Sequence, residues 1–328
     1  MSIFNIAGVD PTLVGRLMVE LDDVSTIFDR QLASEFPPVN TLSLHVSRYR
    51  GKMLRPTLVL ISGMAVDEDV VDSSSHHRTI GAVTEMIHMA TLVHDDVLDK
   101  SCVRRGGATV NALHGNEMAV MLGDFLISNA FHLCSTLGDP SLNLRLGEIT
   151  NTLCEGEIVQ LHNCENLDLD EDLYLSIVTN KTASLIGGCC ELGGKLAGAD
   201  PHVQTALRGY GTDLGVAFQI TDDLLDLTAD QQELGKTVGR DLDMGKLTLP
   251  LIRALRDGCD RRGIAALVRD RCHAQLQERL RDDGWFESAR DTAMDRVASA
   301  RRWIGDLPDN AATSMMHLLA DAVVQRRF

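Results

Sequence analysis

The sequence predicts an all-α protein, and three observations predict it. Apolar residues recur at helical spacing along the chain, and no run shows sustained alternation of apolar and polar residues. Proline is scarce, 8 in 328 residues, so long stretches carry no helix breaker. The composition is 44% hydrophobic but only 4% aromatic, which asks for an aliphatic, methionine-rich core. No low-complexity linker or composition shift marks a boundary. The chain therefore reads as one domain over 1–328, with a motif-bearing core at about 40–255 and a helical cap at about 256–328.

The formal charge of −16, from 31 basic and 47 acidic residues, argues against nucleic acid as a partner. The eight cysteines include no C-x-x-C pair, and free thiols suggest a reducing compartment. No basic n-region with an apolar h-region opens the chain, and no apolar run approaches the ~20 residues that span a bilayer. A cytoplasmic protein without a transmembrane segment is expected.

In chain order, Leu13, Leu17, Leu21, Val24, Ile27 and Phe28 make an amphipathic helix that Pro37-Pro38 would end. Lys52 and Arg55 stand three apart in GKMLRP, at a glycine entry into an apolar helix, and two cations there suit a phosphate. Residues 66–78 are polar and turn-prone. Thr79 to Lys100 is helical and apolar but ends in Asp95, Asp96 and Asp99. At ~3.6 residues per turn Asp95 and Asp99 share a face, with His88 about two turns before them. Like charges at that spacing repel unless a cation fills them, and oxygen-only ligands favour magnesium. Val103-Arg104-Arg105-Gly106-Gly107 follows as a tight loop with planar phosphate donors.

Residues 117–138 form another apolar helix, broken at Asp139-Pro140. Glu155-Gly156-Glu157 opens or kinks the next helical run, and 163–172 is a polar loop. In the segment 173–199 the Thr182 hydroxyl beside Lys181 can bond back to the helix and bend it, while Cys189 and Cys190 read as small core residues. A helix beginning near Gly209 carries the second acidic motif, Asp222, Asp223 and Asp226. A glycine- and charge-rich loop with Lys236 and Lys246 follows it, and the tail is helical. A lone D-D-x-x-D is an ordinary solvated helix face as often as not. Two copies in apolar sequence, each followed by basic residues, point to a metal-held phosphate.

These residues resemble the trans-isoprenyl diphosphate synthases, the polyprenyl synthetase family, and within it the long-chain, octaprenyl-type members. The resemblance rests on GKMLRP at 51–56, HMATLVHDDVLDKSCVRRGGATVNA at 88–112, GDFLISNAF at 123–131, GEIVQL at 156–161, NKTASL at 180–185, GVAFQITDDLLDLTADQQELGKTVGRDLDMGKLTLPL at 215–251 and, loosely, VVQRR at 323–327. Met53 stands where the family often has a basic residue, and Lys100-Ser101-Cys102 replaces a more acidic segment.

The resemblance implies an isoprenoid synthase fold, helices around a deep cavity with the two acidic helices facing, and a homodimer. It implies condensation of isopentenyl diphosphate with an allylic diphosphate (geranyl, farnesyl or geranylgeranyl). Magnesium, three ions per active site with manganese as a substitute, would be held by Asp95, Asp99 and Asp222, with Asp96, Asp223 and Asp226 completing the cluster. Arg104, Lys181, Lys236 and Lys246 match positions that grip the allylic diphosphate. Lys52, Arg55, His88 and Arg105 match those for isopentenyl diphosphate. Thr182 and Gln219 match polar groups facing the developing cation. Neither Ala90 nor Thr91 is the bulky aromatic that stops growth in short-chain members, so a C30–C50 product is expected, with Met86, Ile87 or Phe131 as the floor. A geranylgeranyl (C20) diphosphate synthase and a non-catalytic subunit of a heteromeric synthase are the alternatives. A terpene cyclase or a head-to-head condensing enzyme is disfavoured by the second intact D-D-x-x-D.

Overall fold

The computed structural model describes residues 6–47, 49–70, 75–228 and 239–325. Its elements in order are α1 (Pro11–Gln31), α2 (Pro37–Ser47), α3 (Leu54–Val66), α4 (His76–Leu98), β1 (Val103–Arg104), β2 (Gly107–Ala108), α5 (Val110–His114), α6 (Asn116–Ser135), α7 (Pro140–His162), α8 (Glu171–Val178), a π-helical turn (Thr179–Ala183), α9 (Ser184–Leu196), α10 (Pro201–Thr228), α11 (Arg240–Asp243), α12 (Leu249–Asp257), α13 (Arg261–Arg269), α14 (His273–Asp282), α15 (Trp285–Trp303) and α16 (Ala311–Val324). The all-α expectation holds, with two short strands as the only sheet among the described residues.

Local chemistry accounts for several boundaries that differ from the expected ones. The Asp10 side chain accepts the Thr12 N–H at 2.7 Å and opens α1, with Pro11 in the first turn. Pro37-Pro38 does not end that helix. It begins α2, where a residue without an N–H costs nothing. Likewise α10 begins at Pro201, well before Gly209, because Asp200 accepts the N–H groups of His202 and Val203 at 2.8 and 2.9 Å. Glu155-Gly156-Glu157 lies inside α7 and neither opens nor breaks it.

The chain forms two compact units. Unit 1 comprises 1–150, 188–208 and 306–318, and unit 2 comprises 151–187, 209–305 and 319–328. In unit 1, α4 is the central helix, packed against α1, α3 and α6. Its face is lined by fully buried Ile80, Val83, Met86, Ile87, Met89 and Ala90. Gly63 of α3 sits against the His77 ring, whose Nε2 bonds the Gly193 carbonyl at 3.0 Å. Cys189 and Cys190 are free and buried, and burial pushes the Cys189 thiol up to about 12, as befits a packing residue rather than a nucleophile.

The 20-residue helix α6 is, by length and composition, apolar enough to cross a membrane, against the expectation that no run is. Glu117 and Asp124 interrupt its apolar sequence, but its mean hydropathy over 18 residues stays high. Ala119, Leu122, Leu126, Ala130 and Cys134 of this helix are buried in unit 1.

In unit 2, α12 packs against α8, α13, α14 and α15. Arg253 fixes that corner through a bidentate pair with Glu171 at 2.9 and 2.6 Å and bonds to Ser288 and Thr292. Asp213 of α10 accepts from Arg296 and from the Trp303 indole at 3.1 and 2.9 Å.

Candidate active site

Both acidic motifs lie in the last turns of their helices. The macrodipole is negative there, and neither α4 nor α10 has a basic residue in its last turn. Carboxylates collected at such a point are destabilised until a cation arrives.

In unit 1, Asp95 and Asp99 are partly exposed at the end of α4, and the Asp99 N–H bonds the Asp95 carbonyl at 2.8 Å. Asp96 turns inward and is 1% exposed. Arg104 Nε donates to both its oxygens at 2.9 and 3.0 Å, while the nearby Tyr49 hydroxyl accepts the Val110 N–H at 3.1 Å and is raised by burial and then by the Asp96 charge. The tight loop after the motif is a β-hairpin, with Val103 opposite Ala108 and Arg104 opposite Gly107. Its connection, Arg105-Gly106, has φ of 50° and 76°, the paired positive values of a type I′ turn. Gly suits that geometry, whereas Arg105 is held in it against its preference, a form of strain that collects at functional sites.

Arg105 donates to the Tyr49 carbonyl and lies against Gly51, where a Cβ would stand 2.7 Å from its Cζ. Arg55, Arg105 and His88 share their surroundings with Glu85, a residue the sequence reading missed. Burial lowers both guanidinium groups, opposed by the Glu85 charge. Burial also holds His88 well below the usual imidazole range, and Arg55, Arg105 and Arg104 push it the same way. His88 is therefore neutral at pH 7. The Arg55 Nε is buried without a hydrogen-bond partner, a donor waiting for an anion. Lys52 lies on the exposed loop that enters α3. A cavity of about 340 Å³ beside the hairpin is lined by His45, Tyr49, Arg104, Arg105 and Leu113.

In unit 2, Lys181 and Thr182 sit on the π-helical turn Thr179–Ala183, a local widening frequent at functional sites. The bend was expected from the Thr182 hydroxyl bonding its own helix. Instead that hydroxyl donates to Gln219 Oε1 at 3.0 Å. Close packing shapes the turn from both sides. A Cβ on Gly156 would stand 2.6 Å from the Lys181 nitrogen, and one on Gly215 would stand 2.6 Å from the Ala183 Cα. Lys181 Nζ pairs with Glu157 and donates to Gln160 at 2.8 Å.

A chain of bonds runs on from Thr182. Gln219 Nε2 donates to Asp223 Oδ1 at 2.8 Å, and the Tyr174 hydroxyl donates to Asp223 Oδ2 at 2.7 Å. Burial, then Asp241, pushes the Asp223 carboxyl well up, while the bonds from Tyr174 and Gln219 pull it back. Asp226 accepts the backbone N–H groups of Arg240 and Asp241 at 3.3 and 3.0 Å and so caps α11. Asp222 is partly exposed. A cavity of about 80 Å³ here is lined by Lys181, Thr182, Gln219, Asp223, Asp241 and Lys246 among others. Lys236 lies outside the described residues.

Ala90, Met86 and Ile87 are fully buried on α4. Thr91, whose hydroxyl bonds the His88 carbonyl at 2.8 Å, and Phe131 of α6 are partly exposed. Sequence reasoning also missed Tyr49 and Tyr174. A lone tyrosine on an apolar face gives no signal, whereas Glu85, a single acid inside TEMIHMA, did give one.

Among the described residues, no group of three or more His, Cys, Asp or Glu could by itself hold a metal ion. The donors still fit one. They are hard carboxylate oxygens, and Asp241 and Asp222 both repel the buried Asp223 carboxylate.

The Polyprenyl synthetase family model matches residues 37–281. The octaprenyl diphosphate synthase of Escherichia coli is 35% identical over 315 residues, covering 94% of this chain and 96% of that protein. Component 2 of the heptaprenyl diphosphate synthase of Bacillus subtilis is 31% identical over 312 residues, 94% of this chain and 88% of that one. A polyprenyl synthase from Caulobacter crescentus, solved with calcium and isoprenyl diphosphate, superposes with a TM-score of 0.83 at 30% identity over 96% of this chain and 97% of its own. By its motifs, its helical fold and its likeness to these proteins along nearly the whole chain, this protein belongs to the polyprenyl synthetase family.

Proposed function

We propose that the chain is a long-chain trans-prenyltransferase, which joins isopentenyl diphosphate head-to-tail to an allylic diphosphate and releases pyrophosphate, giving all-trans products of C30–C50. The observation that carries this reading is the pair of carboxylate-rich helix ends, each close in sequence to cations suited to a diphosphate. The long-chain relative from Escherichia coli supports the product class.

Magnesium characteristically binds through one or two carboxylates and completes its shell with substrate phosphate and water. The described residues gather no three acidic or imidazole ligands in one place, which suits that mode. Asp95, Asp99 and Asp222 would hold the ions, three per active site, with Asp96, Asp223 and Asp226 behind them. When bound, the metal neutralises the charge that develops on the leaving diphosphate.

Arg104, Lys181, Lys246 and Lys236 would grip the allylic diphosphate. Lys52, Arg55, His88 and Arg105 would bind isopentenyl diphosphate, with neutral His88 donating one hydrogen bond. The allylic C–O bond breaks, and its electron pair leaves with pyrophosphate. The double bond of isopentenyl diphosphate then forms the new C–C bond, and the resulting cation loses a proton to the departing pyrophosphate. Thr182 has committed its proton to Gln219, so its oxygen lone pairs are free to face the cation. The small residue Ala90 lets the product extend past α4, toward a floor at Met86, Ile87 or Phe131. The protein would act as a cytoplasmic homodimer.

The Bacillus subtilis relative, named as component 2, favours a second reading in which this chain works with a different partner. Both acidic motifs are whole, which makes this chain the catalytic component under either reading. Pyrophosphate release by the purified chain from isopentenyl diphosphate plus farnesyl diphosphate tests the proposal. Release that requires magnesium and is abolished by EDTA supports it, and no release with any allylic starter contradicts it.

A further inference from the structure

The chain has only three tyrosines, and two of them end on the same kind of partner. Tyr174 is 4% exposed and donates to Asp223, itself 5% exposed, at 2.7 Å. Tyr49 is 2% exposed beside Asp96, itself 1% exposed, and burial and then the Asp96 charge raise its hydroxyl. Asp96 and Asp223 are each the second carboxylate of their motif. Asp96 accepts from Arg104, and Asp223 accepts from Gln219 as well as Tyr174.

We propose that Tyr49 and Tyr174 are positioning residues, each clamping the second aspartate of its motif in one rotamer so that the neighbouring Asp95 and Asp222 are presented to metal in fixed geometry. The inference rests on the metal-dependent reading above. A buried carboxylate with donors on both oxygens, as Asp223 has from Tyr174 and Gln219 and Asp96 has from Arg104, has little rotational freedom, and it fixes the backbone from which the adjacent ligand projects. The tyrosines serve because the hydroxyl is rigidly placed at the end of an apolar ring that fills a buried slot. Partners of this outer kind typically change metal affinity by about 10–100-fold.

The test is a double-mutant cycle read by Mn2+ binding, followed by electron paramagnetic resonance with pyrophosphate present and no turnover. Tyr174→Phe alone should weaken Mn2+ binding about tenfold or more. In the Asp223→Asn background it should add no further loss, because the group it acts through is already altered. Tyr49→Phe with Asp96→Asn should behave the same way. Circular dichroism of each variant checks the fold. Should a Phe variant misfold, tyrosine difference absorbance of the wild type supplies the reading, since Mg2+ with pyrophosphate should perturb it. An unchanged Mn2+ affinity, equal losses in both backgrounds or a silent difference spectrum overturns the proposal. A wild type that takes up no Mn2+ with pyrophosphate overturns the metal-dependent reading as well.

Discussion

At the scale of single residues, the two units solve the problem of buried charge differently. In unit 1 cations outnumber the acid. Arg55, Arg105 and Arg50 surround Glu85, whose carboxyl burial raises and those arginines lower. The balance leaves the pocket short of negative charge, and the unpartnered Arg55 Nε and neutral His88 show the shortage locally. In the proposed function an incoming diphosphate would supply what is missing. The depressed His88 value also predicts a pH dependence of stability. The unfolded chain protonates this histidine near ~6.5, whereas the folded chain does so only well below. Its contribution is therefore complete above the unfolded value and is lost as pH falls from there toward the folded one. His88→Gln should make the loss of melting temperature between pH 7.5 and 5.5 smaller than in the wild type. An equal or larger loss would show that His88 is not the group responsible. His88 was legible in the sequence because it falls two turns before Asp95. Tyr49 and Tyr174 were not, because their role depends on contacts from residues 47 and 49 positions away, which no local spacing encodes.

At the scale of elements, the site depends on backbone devices more than on helix propensity. The Arg105-Gly106 turn sends consecutive arginines to different partners, one to the Asp96 carboxylate and one to the Tyr49 carbonyl. The π-helical turn presents Lys181 and Thr182 to opposite neighbours, Gln160 and Gln219. Gly156 lets α7 approach that turn, so Gly156→Ala should displace it. A loss of about 1–3 kcal/mol in a denaturant melt is expected from overpacking, with a larger relative fall in turnover than in melting temperature. Full activity and stability would mean that the contact is slack. On α4, Ala90→Phe should shorten the product without abolishing turnover, as chromatography of labelled products would show. Unchanged product length would place the growing chain elsewhere. The longer helices were readable from periodicity, whereas α2 and the short α5 were not. Helix entry was misjudged at Pro37 and Pro201, where proline starts a helix instead of stopping one, and at Gly156, where glycine serves packing and leaves α7 unbroken.

At the scale of the whole molecule, a chain with a net charge of −16 binds substrates that are themselves strongly negative. Two arrangements resolve the conflict. Its arginines and lysines converge locally, and its carboxylates stand at negative helix ends, where the divalent cations proposed above would invert the sign of the field. The paired D-D-x-x-D motifs are what the sequence offers for this proposal, since acidic residues in an apolar run are costly unless they hold something. What spacing left open was the division of labour within each motif, with the first residue partly exposed and the second buried and bonded. Ala90 and Thr91, in place of a bulky aromatic, are proposed to leave room for a long product. The most direct test is chromatographic sizing of the products made from labelled isopentenyl diphosphate with farnesyl diphosphate and Mg2+. Products of C30–C50 are predicted, and a product that stops at C15 or C20 would contradict the account.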